Sequence, residues 1–422
     1  MISYIGKKFL ENYNKKMNTK YTPWEFFEQI MHPLFFDCGI DKYLMYIQNT
    51  PLTIGTQIEK YSDPEFRKKQ LEILKTEKFY SDCSDMSCVI GGASSDPSQA
   101  TSSQYDQKYY KKTPEDKICS WIGHSLAVGI SGGLLILFED FDVQLKIFEG
   151  WKKYREFLSE EMNASIVGRQ LQTWNGVYIN ILLNGGNDKD ITEYLEKGKL
   201  KTVSWNLFFS FMYKLGNEEE DSKTNGLYVY VYALGHQNIT IGTMYVNISE
   251  IKSPFKWYKK MFGESDYYTN IEKIKPLFGN CFRHFQDACA FGHIGLKSMR
   301  PQKPEKDIKI SKTEQNKTYY SWIMATINNE KMFAISQQLA DALYEFTQKN
   351  EKGKTDLANM TEKLLNSKNL SLFLKNLNEI VRTGKFEKSN AISDIVKEMC
   401  KVDTPTFQRF MELTKFNFNF KN

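Results

Sequence analysis

Apolar and polar residues follow two different rhythms along the 422-residue chain. In the C-terminal quarter the rhythm is helical. Ile335, Leu339, Leu343 and Phe346 recur at i, i+4, i+8 and i+11, and Leu370, Phe373, Leu374, Leu377, Ile380 and Val381 make one stripe with Gly384 placed to cap it. Ile392, Ile395, Val396 and Met399 continue the pattern, and Thr404-Pro405 reads as an N-cap followed by a first-turn proline of a last helix through Leu413. Four short helices of this kind predict a compact bundle with a lysine-rich outer face. In the middle of the chain the period is two: Leu227 to Tyr232 alternate Leu, Val and Tyr, and a Gly-His-Gln-Asn break leads into Ile239 to Ile248, which predicts a hairpin.

The N-terminal half mixes both rhythms. Leu34 to Phe36, set between Pro33 and Gly39, reads as a buried strand that turns into a helix over Ile40 to Ile47, ending near Thr50-Pro51. A charged helix follows over Pro64 to Phe79. Phe148, Trp151, Tyr154, Phe157 and Leu158 have helical spacing, and Val177 to Leu183 reads as strand. The apolar run from Trp121 to Phe141 is broken by Gly129, Gly132 and Gly133. Further helices are predicted at Phe255 to Phe262 and Ile271 to Phe291.

These elements predict an α+β fold: a mixed, aromatic-rich α/β N-terminal body over residues 1–300, with a C-terminal all-α helical bundle over 319–422. Ser81 to Pro114 is polar and reads as a long loop or small module, part of a Cys-containing insert at about 81–124. Pro301, Pro304 and a run of lysines mark a linker at 301–318. A chain of this length suggests two or three domains.

Composition changes the picture modestly. The net charge of +5 suits an anionic partner, and the 14% aromatic content supplies rings for stacking as well as for a core. Seven scattered cysteines without an apolar leader favour a reducing, cytoplasmic setting. The longest apolar stretch, Leu134 to Phe138, falls far short of the roughly 20 residues of a membrane helix, so no membrane partner is expected.

Three sets of residues could carry chemistry. Gly129-Ile130-Ser131-Gly132-Gly133 matches G-x-S-x-G, but a nucleophile elbow needs a helix after it, and Leu134 to Phe138 reads as strand. A glycine turn between two strands is the better reading. Cys83, Cys88, Cys119 and His124 form two x4-spaced pairs that would satisfy a tetrahedral structural zinc; the alternative is free thiols in a loop. His284 and His293, with Cys281 and Cys289, read as core residues of an apolar helix, with a second metal site the alternative. A P-loop, an H-E-x-x-H helix and a dinucleotide fingerprint are all missing, so the expected class is not an enzyme.

Nucleic-acid binding has better raw material. Lys108, Lys111 and Lys112 flank a Tyr pair; Lys152 and Lys153 lie between Trp151 and Tyr154; Lys259 and Lys260 follow Trp257-Tyr258; Lys297 and Arg300 open a basic run. Lysine and arginine supply phosphate contacts, and rings can stack on unpaired bases. Arg169, Gln170, Gln172 and Asn175 lie in a glycine-bounded segment and are of the types that read base edges.

In their order, these features resemble the large subunit of a type I CRISPR interference complex (Cascade), in particular the type I-B lineage. His32-Pro33-Leu34-Phe35-Phe36-Asp37-Cys38-Gly39-Ile40 is similar to an early G-x-P-F-x-D-x-G-like element of that lineage, with His32 where a small polar residue is usual. Cys83/Cys88 and Cys119/His124 answer to its Cys-pair module in degenerate form, Val128 to Phe141 to its glycine-containing apolar element, and Leu227 to Ile248 to its central aromatic strand pair. A helical C-terminal bundle closes both. The resemblance implies a non-catalytic subunit that binds the 5′ region of the guide RNA, recognises the short motif (PAM) beside a double-stranded DNA target and assists R-loop formation in antiviral defence. The implied partners are the Cascade backbone and small subunits and a recruited helicase-nuclease. In some relatives the bundle is also made separately from an internal start, for which Met324 or Met332 would be the places here. The runner-up is a metal-dependent nucleic-acid-processing enzyme of a defence or mobile-element system.

Overall fold

The computed structural model describes residues 1–36, 42–47, 50–52, 63–82, 88–91, 112–163, 165–166, 170–183, 188–204, 208, 211–212, 226–233, 239–263, 292–301, 314–349, 356–386 and 390–421. The fold is α+β with a helical C-terminal region. It divides into two compact units: one holds the described residues up to Ile248 and the short strand at His293–Ile294, the other the described residues from Ser249 to Gly263 and from Leu296 onward.

The first unit begins with α1 (Ile2–Met17), which lies along α5 (Pro114–Ser125) at very close range. Two glycines permit the approach. A Cβ on Gly6 would fall on the Cys119 carbonyl oxygen and lie 2.7 Å from the Gly123 nitrogen, and one on Gly123 would fall on the Ile2 carbonyl oxygen. The buried stripe of α1, Ile2, Ile5, Phe9, Leu10 and Tyr13, then closes over an aromatic core that includes Phe26, Phe141 and Phe148.

The segment Pro23 to Phe35 is helical throughout, and here the strand reading fails. Thr22 makes a capping box with Glu25 around Pro23, opening α2 (Pro23–Phe26); a π turn spans Phe27–Met31; α3 (His32–Phe35) follows. Pro33 has no N–H to give, and the wider π turn immediately before it accommodates the missing bond and the ring, so the proline sits in the first turn of α3 instead of ending a helix. Helix α3 ends where Arg155 reaches it: the guanidinium donates to the carbonyl oxygens of Leu34 (2.9 and 2.7 Å), Phe35 (3.4 Å) and Lys42 (3.2 Å). Lys42 to Ile47 is irregular apart from one helical residue, so the predicted helix over Ile40 to Ile47 is not formed there; residues 37–41 are outside the described set. The charged helix is present as α4 (Pro64–Ile73), continued by a π turn at Leu74–Phe79.

Five strands form one sheet in the order β1 (Val128–Ile130), β2 (Leu134–Phe138), β5 (Leu227–Ala233), β6 (Ile239–Val246), β7 (His293–Ile294), antiparallel except for β7, which runs parallel to β6. A two-stranded ribbon, β3 (Leu195–Glu196) with β4 (Lys199–Leu200), stands apart. The hairpin reading holds: Leu227, Val229 and Val231 are buried while Tyr228 is 55% exposed, and Gly242 takes φ 115° beside the register shift at Val231/Tyr232. Ser131 lies in the turn between β1 and β2, with Gly132 and Gly133 at positive φ, and its hydroxyl donates to Val203 O; strand follows strand, as the sequence suggests.

Helix α6 (Phe141–Ser159) carries the predicted stripe of Phe148, Trp151, Tyr154, Phe157 and Leu158 inward. Val177 to Leu183 is not a strand; it completes α7 (Leu171–Leu183), whose apolar run is buried on several sides and so shows no helical period. Helix α7 packs on β1 through Gly176 and Gly129, where a Cβ on Gly176 would meet Val203 at 2.7 Å and Gly129 O at 3.1 Å.

Among the described residues the regular structure of the second unit is helical, with a 3-10 turn at Leu296–Met299: α8 (Ile248–Phe262, from Ser249), α9 (Glu314–Ile327), α10 (Glu330–Gln348), α11 (Asp356–Leu365), α12 (Leu370–Arg382), α13 (Asn390–Met399) and α14 (Thr404–Lys421). The predicted stripes of α10, α12 and α13 meet α14 in one core that includes Leu339, Leu343, Phe373, Ile380, Phe407 and Phe410. Gly384 follows α12 at φ 67°, as its sequence position suggests. Helix α14 starts one residue earlier than predicted: Asp403 is the N-cap, its carboxylate accepting from Thr406 N at 3.0 Å. Helix α8, assigned from sequence to the body, belongs to this unit because Trp257 joins a second aromatic core with Tyr319, Tyr320 and Trp322. Glu314 to Thr318, read as linker, is the first turn of α9, and residues 302–313 are outside the described set. No helix among the described residues is long and apolar enough to cross a membrane.

Candidate nucleic-acid interface

The residues proposed from sequence separate into three groups. Gln170, Gln172 and Asn175 are not available to read bases. Helix α7 turns them onto backbone groups of the first unit, which satisfies the end of α5 and the edge of β4. Asn175 is fully buried, and its amide donates to the carbonyl oxygens of Ser125 and Ala127 at 2.8 Å each. Gln172 donates to His124 O at 3.2 Å and to His124 Nε2 at 3.1 Å, and Gln170 Oε1 accepts from Leu200 N at 2.8 Å. The glycine that bounds this segment, Gly176, serves close packing against β1.

Two of the zinc candidates, Cys119 and His124, are not brought together. Cys119 and His124 lie five residues apart on α5 and face different neighbours: Cys119 lies beside α1, and His124 lies against β5. Because Gln172 donates to Nε2, the His124 Nδ1–H donates to Tyr232 Oη at 2.9 Å, and no lone pair is left for a metal. Burial holds His124 down at about 4, a neutral imidazole, and pushes the Cys119 thiol up to about 12. Cys88 is buried and disulfide-bonded, which runs against the reduced-thiol expectation. Cys83 is outside the described residues, as are Cys281, His284 and Cys289. His293 belongs to β7, not to a helix, with its ring 6.0 Å from Tyr245. Among the described residues no three His, Cys, Asp or Glu side chains group to hold a metal.

The basic candidates fall on both units. Lys152 and Lys153 are exposed on α6, Lys153 pairing with Glu156 at 3.1 Å, while the rings beside them, Trp151 and Tyr154, are completely buried and offer no stacking face. Lys112 is exposed just before the Thr113 cap of α5; Lys108, Lys111 and Arg169 are outside the described residues. Lys259, Lys260, Lys297 and Arg300, by contrast, all lie on elements around the second aromatic core of the helical unit.

That core explains how the cations are held. Trp257, Tyr319, Tyr320, Trp322 and Phe416 are buried, Tyr320 and Phe416 stacking at 3.8 Å between ring centres. Trp322 donates from Nε1 to Leu296 O at 2.8 Å, and Glu250 accepts from Leu296 N at 3.0 Å, so the 3-10 turn that carries Lys297 and leads into Arg300 is tied to α8 and α9. Cations then rest on the rings from outside. Lys260 Nζ lies 5.2 Å from the centre of Trp257 and pairs with Glu330 at 2.6 Å; Lys317 Nζ lies 5.9 Å from Phe262; Arg300 and Arg409 lie 5.8 and 5.6 Å from Trp322. Sequence reasoning missed Lys317 and Arg409. Arg409 reads as a solvated position on an amphipathic helix, and only the docking of α14 on α9 brings it to Trp322.

Burial lowers Arg409 below the ordinary guanidinium range, with Arg300 adding to the effect, and burial beside Glu412 raises Tyr319, whose hydroxyl donates to that carboxylate at 2.9 Å. The result is a basic rim on a rigid, dry aromatic floor. It can hold anions; the floor itself is too buried to stack bases. Set beside protein-family models, curated proteins and solved structures, the chain matches none of them.

Proposed function

We propose that the chain is a non-catalytic, nucleic-acid-binding large subunit of an RNA-guided type I CRISPR surveillance complex, binding the guide RNA 5′ region, recognising the target-adjacent motif and assisting R-loop formation with the backbone and small subunits and a recruited helicase-nuclease. The observation that carries nucleic-acid binding is the rim of Lys260, Lys317, Arg300 and Arg409 around one aromatic core of the helical unit. Phosphate neutralisation by such cations gives affinity without sequence preference, in keeping with a subunit that leaves sequence to the guide. The central hairpin and the C-terminal helices support the landmark order on which the CRISPR assignment rests, whereas the His32–Phe36 element is helical and the Cys/His module lends no support.

Fluorescence anisotropy of the purified chain with labelled single-stranded RNA and DNA, from low to physiological salt, tests the binding reading. Affinity falling steeply as salt rises is the expected result. Flat or undetectable binding would remove its basis.

A further inference from the structure

We propose that Arg300 and Arg409, seated on the indole of Trp322, form a clamp for one backbone phosphate of a bound nucleic acid. This inference rests on the nucleic-acid reading above and specifies where in the helical unit the strand is held.

Three observations carry it. First, residues 109 positions apart bring two guanidinium carbons to within 6 Å of one ring centre, 5.8 and 5.6 Å, so like charges are gathered at a single place. Second, the carboxylates near Arg409 act on it through space only: Asp403 and Glu412 offset part of its charge, but Glu412 accepts from the Tyr319 hydroxyl and Asp403 caps α14, while Glu250 accepts from Leu296 N. Among the described residues neither guanidinium makes an ion pair or donates a hydrogen bond. Third, the indole is 5% exposed and pinned by its bond to Leu296 O, so it is a fixed platform for the cations and not a stacking surface for a base. An arginine resting on a ring keeps its planar N–H edges for a second partner, and two such forks suit the oxygens of a phosphate, which would also relieve the repulsion between them.

The test uses the full chain, a fluorescein-labelled 20-nucleotide oligothymidylate and anisotropy at several salt concentrations. Arg300→Gln and Arg409→Gln should each weaken binding about 3- to 10-fold, and the double variant should flatten the log Kd against log salt plot by roughly 0.7, the value for one single-strand phosphate contact. Lys397→Gln, a charge-matched change on the exposed face of α13, should alter neither as strongly. Arg300→Lys keeps the charge without the fork and should fall between. Thermal melts verify that each variant folds, and Arg300, being exposed, gives a variant that does not depend on core packing. Unchanged affinity and slope in the double variant, with a wild type that binds, would overturn the clamp and leave the nucleic-acid reading standing. A wild type that ignores the oligonucleotide but binds inorganic pyrophosphate through both arginines, measured by calorimetry, would make the clamp a free-oxyanion site and overturn both.

Discussion

Alanine is a better helix residue than glycine by about 1 kcal/mol, so Gly6→Ala in the middle of α1 would ordinarily stabilise the protein. Here the sign should reverse. The new methyl carbon would overlap the Cys119 carbonyl oxygen and sit 2.7 Å from the Gly123 nitrogen, backbone atoms that cannot swing aside. Non-bonded heavy atoms rest at roughly 3.5–4.0 Å, so α1 and α5 must part by about 1 Å, a gap that forfeits a quarter to a half of the dispersion energy across it. Ile2, Ile5 and Phe9 flank Gly6 on the buried stripe and are each at most 4% exposed. At about 1.5–3 kcal/mol for burying each such side chain, the loss over three is roughly 1–4 kcal/mol. Subtracting the helix-propensity gain leaves roughly 0–3 kcal/mol, centred on a net destabilisation of about 1.5 kcal/mol, or a fall of roughly 3–6 °C in the melting transition of the first unit. Circular dichroism melts and urea titrations of wild type, Gly6→Ala, Gly123→Ala and the double variant measure this. The double variant should lose less than the sum, because the first methyl opens the gap that the second uses. A Gly6→Ala protein that melts at or above the wild-type temperature would refute the close-approach argument.

Arg155→Ala should destabilise the first unit by about 2–4 kcal/mol in urea titrations, because the carbonyls of Leu34, Phe35 and Lys42 lose a shared donor, and Arg155→Lys should recover only part of it for want of the planar fork. His124 is neutral and buried with a folded pKa of about 4 against an ordinary 6.5, so the unfolded chain binds the extra proton between those values. Its stabilising contribution is complete above pH 6.5 and is lost as pH falls toward 4, on the order of 3 kcal/mol in all; urea titrations from pH 7 to 4 should show a shallower decline in His124→Gln than in wild type, and parallel declines would refute the burial argument. Iodoacetamide under native conditions should label exposed Cys400 and spare Cys119, whose thiol is held near 12 by burial; mass spectrometry showing rapid native labelling of Cys119 would contradict its position beneath α1.

Where a single face of an element is buried, its pattern was legible in the sequence. The alternation of Leu227 to Tyr232 and the stripes of α10, α12 and α13 each sort residues into an inside and an outside, and the structure follows them. Elements buried on more than one side show no such contrast, which is why Val177 to Leu183 of α7 read as a strand. Pro33 with Leu34 to Phe36 read as extended chain because no local signal announces the π turn that lets the proline sit inside helical backbone. The site is a different case. Lysines and arginines announce themselves individually, but whether a ring beside them is core or platform depends on burial, and Trp151, Tyr154 and Trp257 all proved to be core. Gln170, Gln172 and Asn175 have the chemistry to read bases and spend it on backbone carbonyls, a backbone N–H and an imidazole within the fold. Arg409 joins Arg300 only through helix docking, information that no stretch of sequence contains.

The most direct measurement for the functional proposal is to express the chain with its genomic neighbours, recover it through a tag at Asn422, sequence the RNA that accompanies it and identify the proteins by mass spectrometry. The account predicts short RNAs of uniform length with a constant 5′ segment, together with a repeated backbone subunit. Recovery of the chain alone and free of RNA would contradict it.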